Sequence, residues 1–523
     1  MWSYHLPAQP FRPPNPPPAP PIYTEGTMPG FHVEHFGCRA ARADGEAVSG
    51  RLRAAGLDER EPAAADVVIV NTCSVTAEAD RAARAFIRRA HRLNPEARII
   101  VTGCYAQRAP EELAGLAGVA AVVGNSHKAL APEIVLGLTA DRSGAGTGQS
   151  AQLVSVASLM TGRTKTPVWV DDRFAHSFLE EAQLTPGTLT RPNLKIQEGC
   201  GNRCTFCVIP WTRGASRSLP AASILRQVEG FVAAGGNELV LSGINLGRWG
   251  RDLPPSDAVD RPTLAWLART IFAKTSLPRL RLSSIEPMDW DEQLLALMAE
   301  FGGRRLARHA HLPLQSGSDA VLRRMHRRYR PWHYAEKVAA LVRAAGPELT
   351  VGADIMVGFP GETDSEFEET LEMVRALPFG YLHLFPFSPR PGTRGQALHA
   401  ESPVPPQVAE ERMATLRALA AEKSLAHRER FVGCELDAIT LHTPPELAGQ
   451  ERTAALTENF LPVKIVGCFE VNRMVRVRAK RLNEEGMLEG CPTGDQYCAG
   501  VMSVRPKSVP LNSNSSPVSL AKA

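Results

Sequence analysis

Three cysteines lie close together in the stretch EGCGNRCTFCVIPWTRG, at Cys200, Cys204 and Cys207. Structural zinc sites close four ligands around the metal, usually as two separated pairs. No fourth cysteine or nearby histidine completes this set. Cysteine thiolates also hold [4Fe–4S] clusters, which normally take four of them. Three thiolates leave one iron open, as catalytic metal sites do, and a small molecule with an amine and a carboxylate could chelate that iron.

A second set of three cysteines is spread along the N-terminal part of the chain. Each one ends a strand-like segment, FHVEHFGC at Cys38, ADVVIVNTC at Cys73 and ARIIVTGC at Cys104. Helical segments separate the strands, and strand–helix–strand units of this length predict a parallel sheet with right-handed crossovers. Ligands bind at the edge where parallel strands end, so we expect these cysteines to converge there as a metal site. The alternative is three unrelated core cysteines.

The central part of the chain predicts a partial (β/α)6 barrel. Strand candidates alternate with amphipathic helical stretches, and they are NLKIQEG, ELVLSGINL, RLRLSSIEP, HAHLPLQSG, LTVGADIMVGFPG and GYLHLFPFSPRPG. Such alternation is typical of an open or partial α/β barrel, whose active face lies at the carboxyl ends of the strands. The cluster of Cys200, Cys204 and Cys207 follows the first of these strands, which places it on that face.

After a long helical segment, the sequence becomes β-rich and predicts a small all-β barrel. Its segment RMVRVRAKRL carries Arg473, Arg476 and Arg478, which could bind RNA. The basic stretch RRMHRRYR at 323–330 could contact phosphates or form a solvated helix face. The predicted divisions are a disordered proline-rich extension (1–29), an N-terminal α/β domain (30–140), a linker (141–190), the barrel (191–430), an RNA-binding β domain (431–505) and a disordered tail (506–523).

Composition narrows the class of protein. The 523 residues are 44% hydrophobic and 22% charged, which is typical of globular chains, and the net charge of +4 is compatible with a nucleic-acid partner. We find neither an apolar run of roughly 18–20 residues nor a signal-peptide pattern. These absences predict a cytoplasmic protein without membrane contact, whose ten cysteines serve metal or redox chemistry rather than disulfides. Translation could start at Met1 or Met28. No role is assigned to the fourteen histidines, and the remaining cysteines read as incidental thiols: Cys434, Cys468, Cys491 and Cys498.

The stretch CGNRCTFC resembles the radical S-adenosylmethionine signature C-x3-C-x-aromatic-C, with Phe206 as the aromatic residue. With the N-terminal three-cysteine domain, HLPLQSGSD, GADIMVGFPGET and the terminal β-barrel, it is similar to the methylthiotransferases over roughly 31–505. The resemblance implies that Cys200, Cys204 and Cys207 hold a [4Fe–4S] cluster whose open iron binds S-adenosylmethionine, which is cleaved to a 5′-deoxyadenosyl radical. It implies that a second [4Fe–4S] cluster carries or delivers sulfur, on Cys38, Cys73 and Cys104. The terminal barrel resembles the TRAM module, an RNA-binding fold.

The segments HFGCRAARADGE and LSGINLGRWGRD most resemble enzymes that act on N6-threonylcarbamoyladenosine. Relatives acting on isopentenyladenosine usually show Gln where this chain has Arg39, and Ala41 stands where the family usually has Asn. The resemblance implies a monomeric sulfur-group transferase that inserts sulfur and a methyl group at a C–H of adenosine 37, in the anticodon stem-loop of tRNA. An electron donor and a sulfur source are also required. The alternatives are isopentenyladenosine, a ribosomal-protein aspartate, or a non-catalytic RNA-binding protein with structural metal centres.

Three further residues could contact S-adenosylmethionine. Ser242 and Gly243 end the strand LVLSG and could approach the amine or carboxylate of the methionine. Asp354 could face the barrel interior near the same cofactor. A plain strand-to-loop turn explains Ser242 and Gly243 equally well. Arg213, close behind the cysteine cluster, could contact substrate or cofactor, or form an ordinary salt bridge.

Overall fold

The computed structural model describes residues 28–140, 166–174, 191–255 and 261–493. The predicted proline-rich extension up to residue 27, most of the predicted linker, Cys498 and the predicted tail lie outside the described residues. Within the described part of the chain, no helix is both long enough and apolar enough to cross a membrane.

The N-terminal domain is a six-stranded parallel sheet with helices on both faces. Its strands are β1 Gly30–His35, β2 Asp58–Glu59, β3 Val67–Thr72, β4 Arg98–Gly103, β5 Val119–Gly124 and β6 Val168–Trp169. Its helices are α1 Arg39–Ala54, α2 Ala77–Leu93, α3 Cys104–Arg108, α4 Pro110–Ala114 and α5 Ala131–Ala140, with a 3-10 turn at Asn125–Leu130. The strand order is β2-β1-β3-β4-β5-β6, with parallel pairing throughout, as the sequence predicted.

Helix packing explains why this sheet is apolar throughout. Every residue of β3 is buried, because α2 covers one face and α1 with α5 covers the other. Helix α1 begins one residue after Cys38 and ends at Ala54. It reaches beyond its own domain and packs against two strands of the central domain.

The central domain contains all six predicted barrel strands. They are β7 Asn193–Glu198, β9 Glu238–Gly243, β10 Arg279–Leu282, β11 His309–His311, β12 Thr350–Val357 and β13 Phe379–Pro386, with a short antiparallel β8 at Arg217–Ser218. The helices are α6 Ile209–Arg213, α7 Ala221–Ala233, α8 Leu264–Lys274, α9 Glu292–Phe301, α10 Asp319–Arg324, α11 Pro331–Ala345, α12 Asp364–Ala376 and α13 Arg394–Glu401, with 3-10 turns at Leu246–Arg248 and Pro287–Asp289.

These strands form an open, curved wall rather than a closed barrel. They pair as two sheets, in the orders β10-β9-β7-β8 and β11-β12-β13. A single hydrophobic core crosses both sheets and includes Ile196, Leu241, Leu280, Val351 and Phe379. The partial α/β barrel is therefore confirmed, and helix α1 of the N-terminal domain packs on strands β7 and β9 of its wall.

Helix α14 (Pro406–Glu429) packs against β13 and leads into a closed five-stranded barrel. Its elements are β14 Glu435–Thr440, α15 Pro445–Ala448, β15 Arg452–Thr457, β16 Pro462–Val466, β17 Met474–Leu482 and β18 Leu488–Pro492. The predicted all-β barrel is confirmed, and β15 is a strand that the sequence analysis did not predict. Alternation along β17 buries Val475 and Val477 and exposes Arg476 and Arg478.

The turn between β15 and β16 fixes the terminal barrel to the central domain. The carboxylate of Glu458 accepts hydrogen bonds from the Arg308 backbone N–H, at 2.9 Å, and from Arg308 Nε, at 2.8 Å. Arg281 Nη2 donates to the Thr457 carbonyl at 3.2 Å. Phe460 in this turn has a φ of +69°, a conformation in which non-glycine residues are uncommon. Its ring reaches the barrel wall and stacks on His309, with ring centroids 4.2 Å apart.

Candidate functional site

The dispersed cysteines meet at the carboxyl edge of the N-terminal sheet. Cys38 follows β1, Cys73 follows β3 and Cys104 follows β4. Gly37, at φ +119°, lies so close that a Cβ there would be 2.7 Å from Cys73 Cβ, so only glycine fits. Burial, together with the nearby Cys104 and Cys38, raises the pKa of Cys73 to about 12. A thiol held this way becomes a good ligand only beside a cation that offsets its burial.

Nitrogen donors surround the sulfur of Cys104. Arg213 Nε lies 3.2 Å from it and Asn125 Nδ2 lies 3.4 Å from it. Asn125 belongs to the N-terminal domain, whereas Arg213 ends α6 of the central domain. Donors of this kind orient thiolate ligands and tune iron–sulfur clusters. Both domains therefore contribute to the surroundings of this sulfur.

The clustered cysteines follow β7 at the open face of the barrel. Cys200 Sγ accepts hydrogen bonds from the Asn202 backbone N–H, at 3.4 Å, and from Asn245 Nδ2, at 3.6 Å. Burial raises the pKa of Cys207 to about 12. In the described residues, no three of the six cysteine sulfurs lie within 4.8 Å of one another.

Arg327 shows that the basic stretch 323–330 is not a uniformly solvated helix face. Rather than facing solvent, this residue is buried, and its Nη1 lies 3.2 Å from Cys204 Sγ. Its Nη2 pairs with Glu286 Oε2 at 2.5 Å. Helix α10 ends at Arg324, and the following loop turns inward at Arg327 while Arg328 remains exposed. A run of charges in the sequence does not reveal which member points inward.

A buried ionic cluster joins the two domains beside these sulfurs. Asp44 and Lys128 of the N-terminal domain meet Lys195, Glu198 and Arg213 of the central domain. Lys128 Nζ lies 2.5 Å from Asp44 Oδ2, and Arg213 Nη1 lies 2.6 Å from Glu198 Oε1. Burial would raise the pKa of Glu198, but Arg213 and both lysines hold it well below its usual range. Arg213 thus forms the predicted salt bridge and also contacts Cys104.

We expect Arg213→Met to lower the free energy of unfolding by about 3–5 kcal/mol, because it leaves Glu198 and Asp44 buried with one cation fewer. The measurement is urea unfolding of the apoprotein, followed by circular dichroism. The matched control is Arg269→Met, which removes an exposed pair with Glu300 and should cost less than about 1 kcal/mol. Equal midpoints for the two variants would show that the ionic cluster does not stabilise the domain interface.

A cavity of about 270 Å³ lies between the two sets of cysteines. Its walls are Val75, Thr76, Phe206, Cys207, Val208, Ile209, Gln315, Asp354, Met356, Phe385, Pro386 and Ser388. Val75 and Thr76 follow Cys73 in the N-terminal domain. The segment 206–209 belongs to the clustered-cysteine loop and the start of α6. The remaining residues come from the barrel wall. The cavity therefore opens toward both cysteine sets.

Of the other predicted cofactor residues, Phe206 and Asp354 line this cavity, whereas Ser242 and Gly243 are not among its walls. Phe206 packs edge-on against Phe359, with ring centroids 6.5 Å apart. Asp354 faces the barrel interior, as expected. Ser242 is buried at the carboxyl end of β9, and its Oγ has no hydrogen-bond partner among the described residues. A Cβ on Gly243 would come 2.9 Å from Gln197 Cβ, so this glycine lets β9 approach β7 closely.

Histidines to which the sequence analysis gave no role surround Asp354. His311 Nε2 and His383 Nδ1 each lie 3.2 Å from Asp354 Oδ1. Although burial opposes it, hydrogen bonds from the two imidazoles lower the pKa of Asp354. The one available signal was the HAH pattern of β11, which puts His309 and His311 on the same face of the strand.

A larger, basic cavity of about 720 Å³ lies on the outer side of the clustered-cysteine loop. Its walls are Gly201, Asn202, Arg203, Ser216, Asn245, Arg248, Arg251, Asp252, His326, Arg327, Arg328 and Arg330. Six of these residues are arginines and one is an acid. Arg203 and Arg328 are exposed, and neither forms an ion pair with a described residue. The cavity is therefore suited to an anionic partner.

Two family models match the chain. Residues 30–124 match the Uncharacterized protein family UPF0004, and residues 194–374 match the Radical SAM superfamily. Among solved structures, the radical S-adenosylmethionine methyltransferase TsrM from Kitasatospora setae is 16% identical, with a TM-score of 0.44, and the match covers 69% of this chain and 75% of that one.

Curated relatives match nearly the whole chain. The threonylcarbamoyladenosine tRNA methylthiotransferase MtaB of Bacillus subtilis is 33% identical over 86% of this chain and 92% of the relative. That of Aquifex aeolicus is 33% identical over 85% and 98%. A tRNA-2-methylthio-N(6)-dimethylallyladenosine synthase of Novosphingobium aromaticivorans is 34% identical over 78% and 86%. Since this identity extends over most of both chains and includes a radical SAM domain, the chain belongs to the radical S-adenosylmethionine methylthiotransferase family.

Proposed function

We propose that this protein converts N6-threonylcarbamoyladenosine at position 37 of tRNA into its 2-methylthio derivative. The observation that carries the proposal is the cavity of about 270 Å³, which lies between the two cysteine sets and includes Cys207 and the loop after Cys73. Relatives named for this reaction match most of the chain. A tRNA substrate also places the activity in the cytoplasm.

The cysteine sets are the proposed ligands of two [4Fe–4S] clusters, Cys200, Cys204 and Cys207 for one and Cys38, Cys73 and Cys104 for the other. When bound, these clusters and S-adenosylmethionine supply the radical, the sulfur and the methyl group. The chain's own residues orient the sulfurs: Asn245 donates to Cys200, Arg327 to Cys204 and Arg213 to Cys104. An electron donor and a sulfur source are further proposed partners.

The cavity walls suit radical chemistry. Phe206, Met356 and Phe385 present apolar surface, and such walls keep water away from a reactive species. The adenine C–H that reacts carries no acidic proton, so no general base is needed to remove it. Asp354 is accordingly held between His311 and His383 rather than standing free as a base.

The nucleoside profile of tRNA from cells with and without the gene tests this function. We expect the 2-methylthio-threonylcarbamoyl nucleoside to disappear on deletion and its unmethylthiolated precursor to accumulate. Loss of the dimethylallyl product instead would assign the activity named for the Novosphingobium relative. An unchanged profile would reject tRNA methylthiolation, and mass spectrometry of ribosomal proteins would then test the aspartate alternative.

Binding of the anticodon stem-loop should depend on the basic cavity. We expect the double substitution Arg203→Gln and Arg328→Gln to weaken binding and to reduce the slope of log K against log[salt] by about 1.4–1.8, since each lost phosphate contact contributes about 0.7–0.9. The measurement is fluorescence anisotropy over a salt series. The control is Arg375→Gln, which removes an exposed charge from α12. An unchanged slope in the double variant would place the phosphates elsewhere.

A further inference from the structure

Cationic and aromatic side chains from all three domains meet at one place. We call it the junction pocket and define it by Arg39, Arg281, His309, Tyr381 and Phe460. The guanidinium carbons of Arg39 and Arg281 lie 5.5 and 5.4 Å from the centre of the Phe460 ring. Tyr381 lies 5.3 Å from the same ring, centre to centre, and its hydroxyl is 2.7 Å from His309 Nε2. Arg39 comes from the start of α1, so the N-terminal domain completes a pocket in the barrel wall.

The donors of this pocket are not all used by the protein. Arg39 is half-buried and forms no hydrogen bond or ion pair with any described residue. Arg281 donates through Nε to Glu238 Oε1 at 2.8 Å, but its Nη1 is buried without a partner. The Nδ1 atom of His309 is also buried and unpartnered. Buried donors without acceptors are costly, and they mark a place where a ligand can supply the acceptor.

The charges around the pocket are unbalanced. Glu238 is shared by Arg191, Arg279 and Arg281, at 3.7, 3.3 and 2.8 Å. Asp354 is the other carboxylate near Arg39, and two imidazoles already engage it. Arg279 is also acted on by the buried Glu458, so three guanidiniums, those of Arg39, Arg191 and Arg281, face the two carboxylates Glu238 and Asp354. Burial holds the pKa of His309 well below its usual range, and the charges of Arg281, Arg39 and Arg191 lower it further. An anion would offset this excess.

Asp354 links the junction pocket to the proposed reaction cavity. Asp354 lines the cavity of about 270 Å³ and acts electrostatically on Arg39. His383, bound to Asp354, exposes 57% of its side chain. Asp354 is therefore the residue past which a group attached to a nucleoside in the cavity would extend toward Arg39. Arg39 offers the planar fork that matches a carboxylate in two hydrogen bonds.

We propose that Arg39 binds the carboxylate of the threonylcarbamoyl group on the target adenosine and so selects an anionic nucleoside side chain over an apolar one. This inference rests on the proposed function and adds a specificity-determining residue to it. Arg281 contributes positive potential behind the carboxylate, and the rings of Tyr381 and Phe460 flank the pocket. No bond is made or broken by these residues.

Equilibrium binding of three labelled anticodon stem-loops to the reconstituted full-length protein tests the inference. The stem-loops differ only at adenosine 37, which is threonylcarbamoylated, dimethylallylated or unmodified. We expect wild type to prefer the first. We expect Arg39→Gln to weaken that RNA by about 10- to 100-fold, the value of a charge-assisted hydrogen bond, and to leave the other two within about twofold. Arg39→Lys should recover part of the loss, because it keeps the charge without the fork.

The control is Arg42→Gln on the same helix, which removes an exposed arginine paired with Glu46 at 3.0 Å and should leave all three affinities unchanged. Iron content and circular dichroism of each variant report cluster loading and folding. If Arg39→Gln keeps the wild-type preference, or weakens all three RNAs equally, the inference is wrong and the proposed function stands. If wild type itself prefers the dimethylallyl RNA, the proposed function is wrong and the inference falls with it.

Discussion

We expect Cys200→Ala to abolish the reductive cleavage of S-adenosylmethionine, so that 5′-deoxyadenosine formation falls by more than about 100-fold. The reason is the ligand count: three thiolates are the fewest that leave a single open iron, so the loss of one releases the cluster. Removing a residue that only orients a ligand typically costs 10- to 100-fold, and a direct ligand must cost more. The measurement is chromatography of 5′-deoxyadenosine after anaerobic reduction, with iron counted in the same samples.

Two matched variants sharpen this result. Cys434→Ala removes an exposed thiol of the terminal barrel and should leave cleavage unchanged. Arg327→Met removes the donor 3.2 Å from Cys204 and should give an intermediate loss of about 10- to 100-fold. Cleavage at the wild-type rate in Cys200→Ala would show that this sulfur is not a ligand of the catalytic cluster.

Cys104→Ala is expected to separate radical formation from sulfur insertion. We expect 5′-deoxyadenosine formation to continue while the 2-methylthio product falls by more than about 100-fold, because this cysteine belongs to the set at the N-terminal sheet edge and not to the barrel loop. Liquid chromatography with mass spectrometry quantifies both products in one reaction. Iron content should fall to about half, since one of the two clusters proposed in this family is lost.

The control for this experiment is Cys468→Ala, another exposed thiol of the terminal barrel, which should keep both products. Parallel loss of both products in Cys104→Ala would mean that the two cysteine sets serve one site. Because Arg213 contacts Cys104 and also the domain interface, a melting curve of the variant verifies that the interface is intact.

The sequence predicted the features that depend on local patterns of residues, such as strands that alternate with helices. The sequence alone predicted that three distant cysteines lie together, namely Cys38, Cys73 and Cys104. Each of them ends a strand of a parallel sheet, and such strands end at one edge. The six barrel strands were recognisable by their alternation with helices. Strand β15 (Arg452–Thr457) was missed, since RTAALT is short and has few β-branched or aromatic residues, and closure of the barrel supplies its pairing.

The sequence could not predict which polar residues from distant parts of the chain contact one another. His311, Asp354 and His383 come from three different strands, and their meeting depends on the register β11-β12-β13. Arg327 looked like part of a solvated run until the loop after α10 turned it toward Cys204. Arg39 was singled out only as a difference from relatives, whereas its position against Phe460 depends on how α1 and the terminal barrel dock on the central domain.

Helix α1 begins at Arg39, directly after Cys38. Consecutive Cα atoms are about 3.8 Å apart, so the backbone holds the thiol at the sheet edge and the guanidinium of the junction pocket at a fixed spacing. On the proposed role of Arg39, a duplicated gene would acquire a new nucleoside preference through one codon, with the cysteine-bearing sheet edge unchanged. An insertion between these two codons would break that spacing. Divergence among such enzymes should accordingly show point substitution here and a conserved segment length.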